Sequence, residues 1–159
     1  MSNKQPQHDM AKSFIEYLGR YKSDCGALAH LRGGLSEGRR PRTWPLLGAF
    51  SEKVVGNRPF EVVAALWAYA PEIHGEAGNL GETLRRLISS KDASQSMDIR
   101  FRRLLSCSKE EIAERVAPMV RMAQGKGERI DYTGLLSDLL WWSESVQIAW
   151  ARSYWRVNE

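Results

Sequence analysis

Between residues 131 and 155 the apolar side chains Leu135, Leu136, Leu139, Trp142, Val146, Trp150 and Tyr154 recur at steps of three or four. That spacing returns side chains to one face of an α-helix, whereas a half-buried strand alternates at every second residue. It predicts one amphipathic helix of about six turns, the longest element of the chain and the central helix of a bundle. So broad a stripe has to be covered by other helices or by a second subunit, where tryptophan and tyrosine are enriched. No polar–apolar alternation elsewhere is long enough to predict a strand, and no internal repeat is present. The expected fold class is all-α, with two packed helical lobes.

The rest of the chain supplies shorter helices. After a loose polar tail over residues 1–9, residues 10–21 place Phe14, Leu18 and Tyr21 on one face. Asp24 is positioned to cap a helix through Ala27, Leu28 and Leu31, which Gly33 and Gly34 stop. Glycines and prolines make residues 33–45 a loop. Pro59 opens a helix over 60–70 that buries Phe60, Val63, Ala64 and Trp67; Pro71 ends it, and a polar loop with His74 follows. Residues 80–88 turn Leu80, Leu84, Leu87 and Ile88 inward and Arg85 and Arg86 outward. The polar stretch 91–95 is the expected break between an N-terminal lobe, 1–92, and a C-terminal lobe, 93–159. Ser108-Lys109-Glu110-Glu111 matches a capping box ahead of Ile112, Val116, Met119 and Val120, with Pro118 marking a kink or an early end.

Charge narrows the partners. The 159 residues carry a net charge of +4, an excess that permits binding to nucleic acid, acidic protein or an anionic membrane surface without requiring it. Residues 96–105 form an amphipathic helix with Met97, Phe101, Leu104 and Leu105 on one arc. Arg100 and Arg103 share one flank and Arg102 lies on the other. Such an edge is either a solvated face or a fixed positive surface for a polyanion. The loop 33–45 adds Arg39, Arg40 and Arg42 against Glu37, and serves equally as a phosphate-binding strap or a solvated connector. Trp44 either anchors that loop to the core or stacks on a base. Arg32 sits in the last turn of its helix, where capping is the simplest role. Lys126 and Arg129 lie in a basic turn over 124–129.

Catalytic patterns are missing. The three histidines are scattered, no His-Glu-x-x-His or Cys-x-x-Cys pair occurs, and no glycine loop leads into Lys-Ser/Thr. No metal or cofactor is therefore expected. Cys25 and Cys107 lie far apart among helix formers, as buried or inert thiols do in a reducing, cytoplasmic compartment. No apolar run approaches the roughly 18 residues of a membrane span.

The order and spacing of several segments closely resemble the CasB family, the small subunit of the type I-E CRISPR surveillance complex, Cascade. These segments are Ala29-His30-Leu31-Arg32-Gly33-Gly34, residues 40–44, residues 62–70 around Trp67, Leu80-Gly81-Glu82-Thr83-Leu84, and Arg100-Phe101-Arg102-Arg103-Leu104-Leu105. Asp131-Tyr132-Thr133-Gly134-Leu135-Leu136-x-Asp138-Leu139 and Trp150-Ala151-Arg152-x-Tyr154 complete the pattern, which spans residues 11–154. The resemblance implies a non-catalytic, two-lobed helical protein. It implies two copies in a ribonucleoprotein with other Cascade subunits and guide RNA, holding opened target DNA. It carries over Arg32, Arg100 and Arg103 as DNA contacts; Arg39, Arg40, Arg42, Arg102, Lys126 and Arg129 are added from charge and placement. The alternative is a helical scaffold that binds acidic protein partners without touching DNA.

Overall fold

The computed structural model describes residues 4–88 and 91–156. Among them, nine α-helices follow in order: α1 (Lys4–Leu18), α2 (Cys25–Arg32), α3 (Trp44–Phe50), α4 (Arg58–Tyr69), α5 (Leu80–Arg86), α6 (Lys91–Leu105), α7 (Lys109–Gly125), α8 (Tyr132–Leu140) and α9 (Glu144–Tyr154). Short 3-10 turns join several of them, and the only β-type pairing among the described residues is one isolated bridge between His74 and Ile130. The fold is all-α, as the periodicity predicts.

The central helix is α4 rather than the C-terminal stripe. Every residue from Phe60 to Ala68 is buried, the signature of a helix surrounded on all sides. It packs against α2, α7 and α8, while α1 packs on α8 and α5 on α9. One hydrophobic cluster accordingly contains Phe14, Leu18, Leu66 and Trp67 together with Phe101, Leu136 and Trp150.

The expected six-turn helix over 131–155 is two helices, α8 and α9, separated by a turn at 141–143. Ser143 is fully extended, at φ −162° and ψ 171°, and begins α9 in a new direction. The stripe survives the break because the turn lays both halves on one core. Trp142, inside the turn, is buried and donates from Nε1 to the Cys107 carbonyl at 2.8 Å. Trp150 is fully buried and donates to Asp138 Oδ2 at 2.8 Å, and its ring meets that of Trp142 edge-on at 4.9 Å.

Other boundaries differ for local reasons. Residues 4–9, expected as tail, belong to α1, and residues 91–95, expected as a break, begin α6; residues 1–3 and 89–90 lie outside the described set. The loop 33–45 is two 3-10 turns, Gly33–Leu35 and Glu37–Thr43, leading into α3. Gly33 does not stop α2 by a left-handed turn: its φ is −59°. Gly34 is instead required for close approach, since a Cβ there would lie 2.5 Å from the Glu61 carbonyl oxygen. Pro118 does not end α7, which continues through Gly125 while Gln124 donates to the Leu66 carbonyl of α4 at 2.7 Å.

The caps divide as well. Asp24 accepts from Ala27 N–H at 3.0 Å as expected. Ser108 Oγ pairs at 3.0 Å with the Glu111 carboxylate, so its half of the capping box to the backbone is not made. Arg86 reaches Glu128 at 3.1 Å, whereas Arg85 is half-buried with Nη1 enclosed rather than turned fully outward. Cys25 is exposed, Cys107 is half-buried, and both are free thiols.

Candidate nucleic-acid interface

Helix α6 is held by its apolar arc. Met97, Phe101 and Leu104 are buried, and Phe101 packs on Tyr154 and Trp155 at 4.2 and 5.3 Å between ring centroids. Tyr154 donates from its hydroxyl to Asp98 Oδ1 at 2.5 Å. With the inner arc anchored on the end of α9, the arginines fall where the helical wheel puts them. Arg102 lies over the Trp155 ring at 5.1 Å. Arg100 and Arg103 line the opposite flank, on a groove of about 750 Å³ between α6 and α7.

Arg115, Pro118 and Met119 of α7 contribute to that groove, and Arg100 Nη1 approaches Met122 Sδ at 3.5 Å. Glu110, Glu111 and Glu114 also line it. Glu114 is committed to Arg58, whose hydrogen bond holds its carboxyl below the usual carboxylate range. The α6 wall remains basic: among the described residues neither Arg100 nor Arg103 has a carboxylate partner.

The second basic segment is organised around a buried acid that the residue pattern did not single out. Glu61 is fully buried in α4 and accepts from Arg40 Nε at 2.7 Å, Arg58 Nη1 at 3.2 Å and Trp44 Nε1 at 2.7 Å. Arg58 also donates to the Gly34 carbonyl. Arg40 reaches Glu37 as well, at 3.5 Å, so its charge is spent within the fold. Trp44 stays 38% exposed, but its indole N–H ties the turn to α4, which settles it as an anchor. Arg39 and Arg42 flank Arg40 on the exposed side of the same turn. The sequence sign of this arrangement was a lone acid inside an apolar helix: Arg58 precedes it at the helical spacing of three residues, but Arg40 and Trp44 lie 21 and 17 residues away and no period links them to it.

Arg32 is half-buried at the end of α2. Its Nε donates to the Ala68 carbonyl at 3.2 Å, and its guanidinium lies 5.4 Å from the centre of the Tyr69 ring. It therefore ties α2 to the end of α4 instead of capping its own helix. Arg121 of α7, absent from the sequence-derived set, approaches the same ring at 3.9 Å. Helices α4 and α7 run side by side in the same direction, with Glu114 beside Arg58 and Arg121 beside Tyr69. Lys126 closes α7 on an exposed turn with Gly127 at φ +75°, and Arg129 is exposed beside Gly75.

The structure thus brings Arg100 to Arg103, and Arg32 to Arg121. Arg102 instead lies over Trp155, Arg40 is paired with Glu61, and Lys126 is exposed on the turn that closes α7. Among the described residues no group of three or more His, Cys, Asp or Glu side chains is placed to hold a metal, and no helix is long and apolar enough to cross a membrane.

Residues 27–155 match the family model described as CRISPR-associated protein Cse2. The chain belongs to the Cse2 family. A Cse2 protein of Thermus thermophilus is 32% identical over 155 residues, covering 89% of this chain and 88% of its own length. The crystal structure of CasB from Thermus thermophilus superposes with a TM-score of 0.75 at 28% identity, over 99% of this chain and all of that one. A chain of a structure described as a CRISPR RNA-guided surveillance complex shares the fold of this Cse2 protein, with a TM-score of 0.72 at 17% identity over 93% and 91% of the two chains.

Proposed function

We propose that this Cse2 family chain is the small, non-catalytic subunit of an RNA-guided CRISPR surveillance complex, holding opened target DNA by its phosphate backbone. The observation that carries the proposal is the pair Arg100 and Arg103, fixed on one flank of α6 with no carboxylate partner among the described residues. Strand exchange between guide RNA and duplex DNA is nearly balanced in free energy, so modest backbone contacts decide whether the opened state persists. Arginines on an anchored helix supply such contacts without reading sequence, which base pairing already does. Arg32, Arg39 and Arg42 extend the surface, with Arg102, Lys126 and Arg129 as outlying contributors. Arg40 belongs to the fold through Glu61.

The partners in this proposal are the other subunits of the complex, a second copy of this chain, guide RNA and target DNA, within a cytoplasmic ribonucleoprotein. The test is the double variant Arg100→Ala, Arg103→Ala in the assembled complex. DNA affinity is expected to fall and its salt dependence to become shallower, by roughly 0.7 in slope per single-strand phosphate released, with helix content unchanged. Unaltered affinity across a salt series would point to a scaffold that binds acidic protein partners instead.

A further inference from the structure

Resting on the nucleic-acid-binding function proposed above, we infer that Tyr69 and Arg121 join Arg32 in a preformed station for one phosphate of a nucleic-acid backbone. Tyr69, 39% exposed at the end of α4, has two guanidinium groups within 5.4 Å of its ring centre. They come from α2 and α7, elements that only tertiary packing joins. Ring and cation attract through the quadrupole of the aromatic face, so one side chain orients both charges.

Each guanidinium is also tethered by one hydrogen bond. Arg32 Nε is held by the Ala68 carbonyl at 3.2 Å, and Arg121 Nη1 by Gln124 Oε1 at 2.8 Å. Gln124 is locked in turn, donating to the Leu66 carbonyl at 2.7 Å and to the Tyr132 hydroxyl at 2.9 Å. A guanidinium has five N–H donors, so each keeps most of its donors for an external acceptor.

Neither arginine has a carboxylate partner among the described residues, whereas Arg40, Arg58 and Arg86 all do. Two like charges are thus gathered on one ring and left without an internal counterion. A phosphate supplies what is missing: negative charge, and oxygens that accept guanidinium forks. Tyr69 is a positioning residue here, and Arg32 and Arg121 are the binding groups. On α7, Arg121 stands seven residues, about two turns, beyond Glu114, which pairs with Arg58 and also lines the groove of Arg100 and Arg103.

The test uses the full chain and a fluorescent single-stranded oligothymidylate over a salt series, with nitrogen-15 NMR of the arginine side chains. Arg121→Ala and Tyr69→Leu are expected to weaken binding several-fold. Arg121→Ala should also flatten the salt slope by roughly 0.7, while Tyr69→Phe keeps wild-type affinity. The Arg32 and Arg121 Nε–H signals should move together during titration and lose that correlation in Tyr69→Leu. Wild-type affinity in Arg121→Ala and Tyr69→Leu would overturn the station, as would Arg32 and Arg121 signals that never move, because all three groups lie in one chain. Equal affinity for inorganic phosphate at matched phosphate concentration would overturn its assignment to a nucleic-acid backbone. The wider function is judged separately, by the Arg100 and Arg103 variant in the assembled complex.

Discussion

Arg40 Nε lies 2.7 Å from the carboxylate of Glu61, which has no exposure to solvent. A buried carboxylate is tolerated only when its charge is matched and its lone pairs are filled. Here Arg40, Arg58 and Trp44 do both.

Glu61→Ala leaves two guanidinium groups facing each other without their shared counterion. Unfolding by urea should show a loss of about 3–5 kcal/mol, and Glu61→Gln a smaller one because an acceptor remains. A loss under about 1 kcal/mol for the alanine variant would refute this role. Arg40→Ala should likewise lower stability, and any fall in nucleic-acid affinity should follow that loss rather than the missing surface charge.

Gly81 is the closest approach of α5 to α9: a Cβ there would stand 2.1 Å from the Trp150 carbonyl oxygen. Gly81→Ala removes a weak helix former from the first turn of α5, which by propensity alone would favour folding by about 1 kcal/mol. Overpacking against backbone works the other way, costing about 1–3 kcal/mol, and should win because neither helix can move without disturbing the buried Trp150. Thermal unfolding should show a lower midpoint; a raised one would mean that α5 and α9 do not meet as described.

Alkaline pH should unfold the protein through three hydroxyls. Burial raises the ionisation of Tyr17, Tyr132 and Tyr154 above the ordinary tyrosine range, and hydrogen bonds add to it at Tyr17 from Tyr21 and at Tyr154 from Asp98. The folded state therefore holds these protons more tightly than the unfolded chain. Their contribution is complete below the ordinary tyrosine range and is lost as pH rises through and beyond it. Phenolate absorbance from these three should appear together with loss of the helical signal. Its full appearance while helix content is intact would show that the hydroxyls are not enclosed.

How much was legible in the sequence depended on the distance over which each feature acts. The inner arc of α6, with Arg100 and Arg103 on one flank and Arg102 on the other, followed from spacing within ten residues. It needed only that Met97, Phe101 and Leu104 be buried, and they are. The cap at Asp24 followed from a reach of three residues. The break at 141–143 did not, because a turn that returns both halves to one core preserves the apolar rhythm a continuous helix would have.

The sequence by itself determined an all-helical chain, which faces are apolar, and that basic side chains flank them, since each is a property of neighbours along one helix. Only the tertiary structure decided which arginines are matched by a carboxylate. Arg40 meets an acid 21 positions away on α4 and is neutralised. Arg32 and Arg121, 89 positions apart in the chain, meet on one tyrosine without a carboxylate among the described residues. Whether a charge is matched depends on what lies within a few ångströms of it in space, and packing between helices sets that distance.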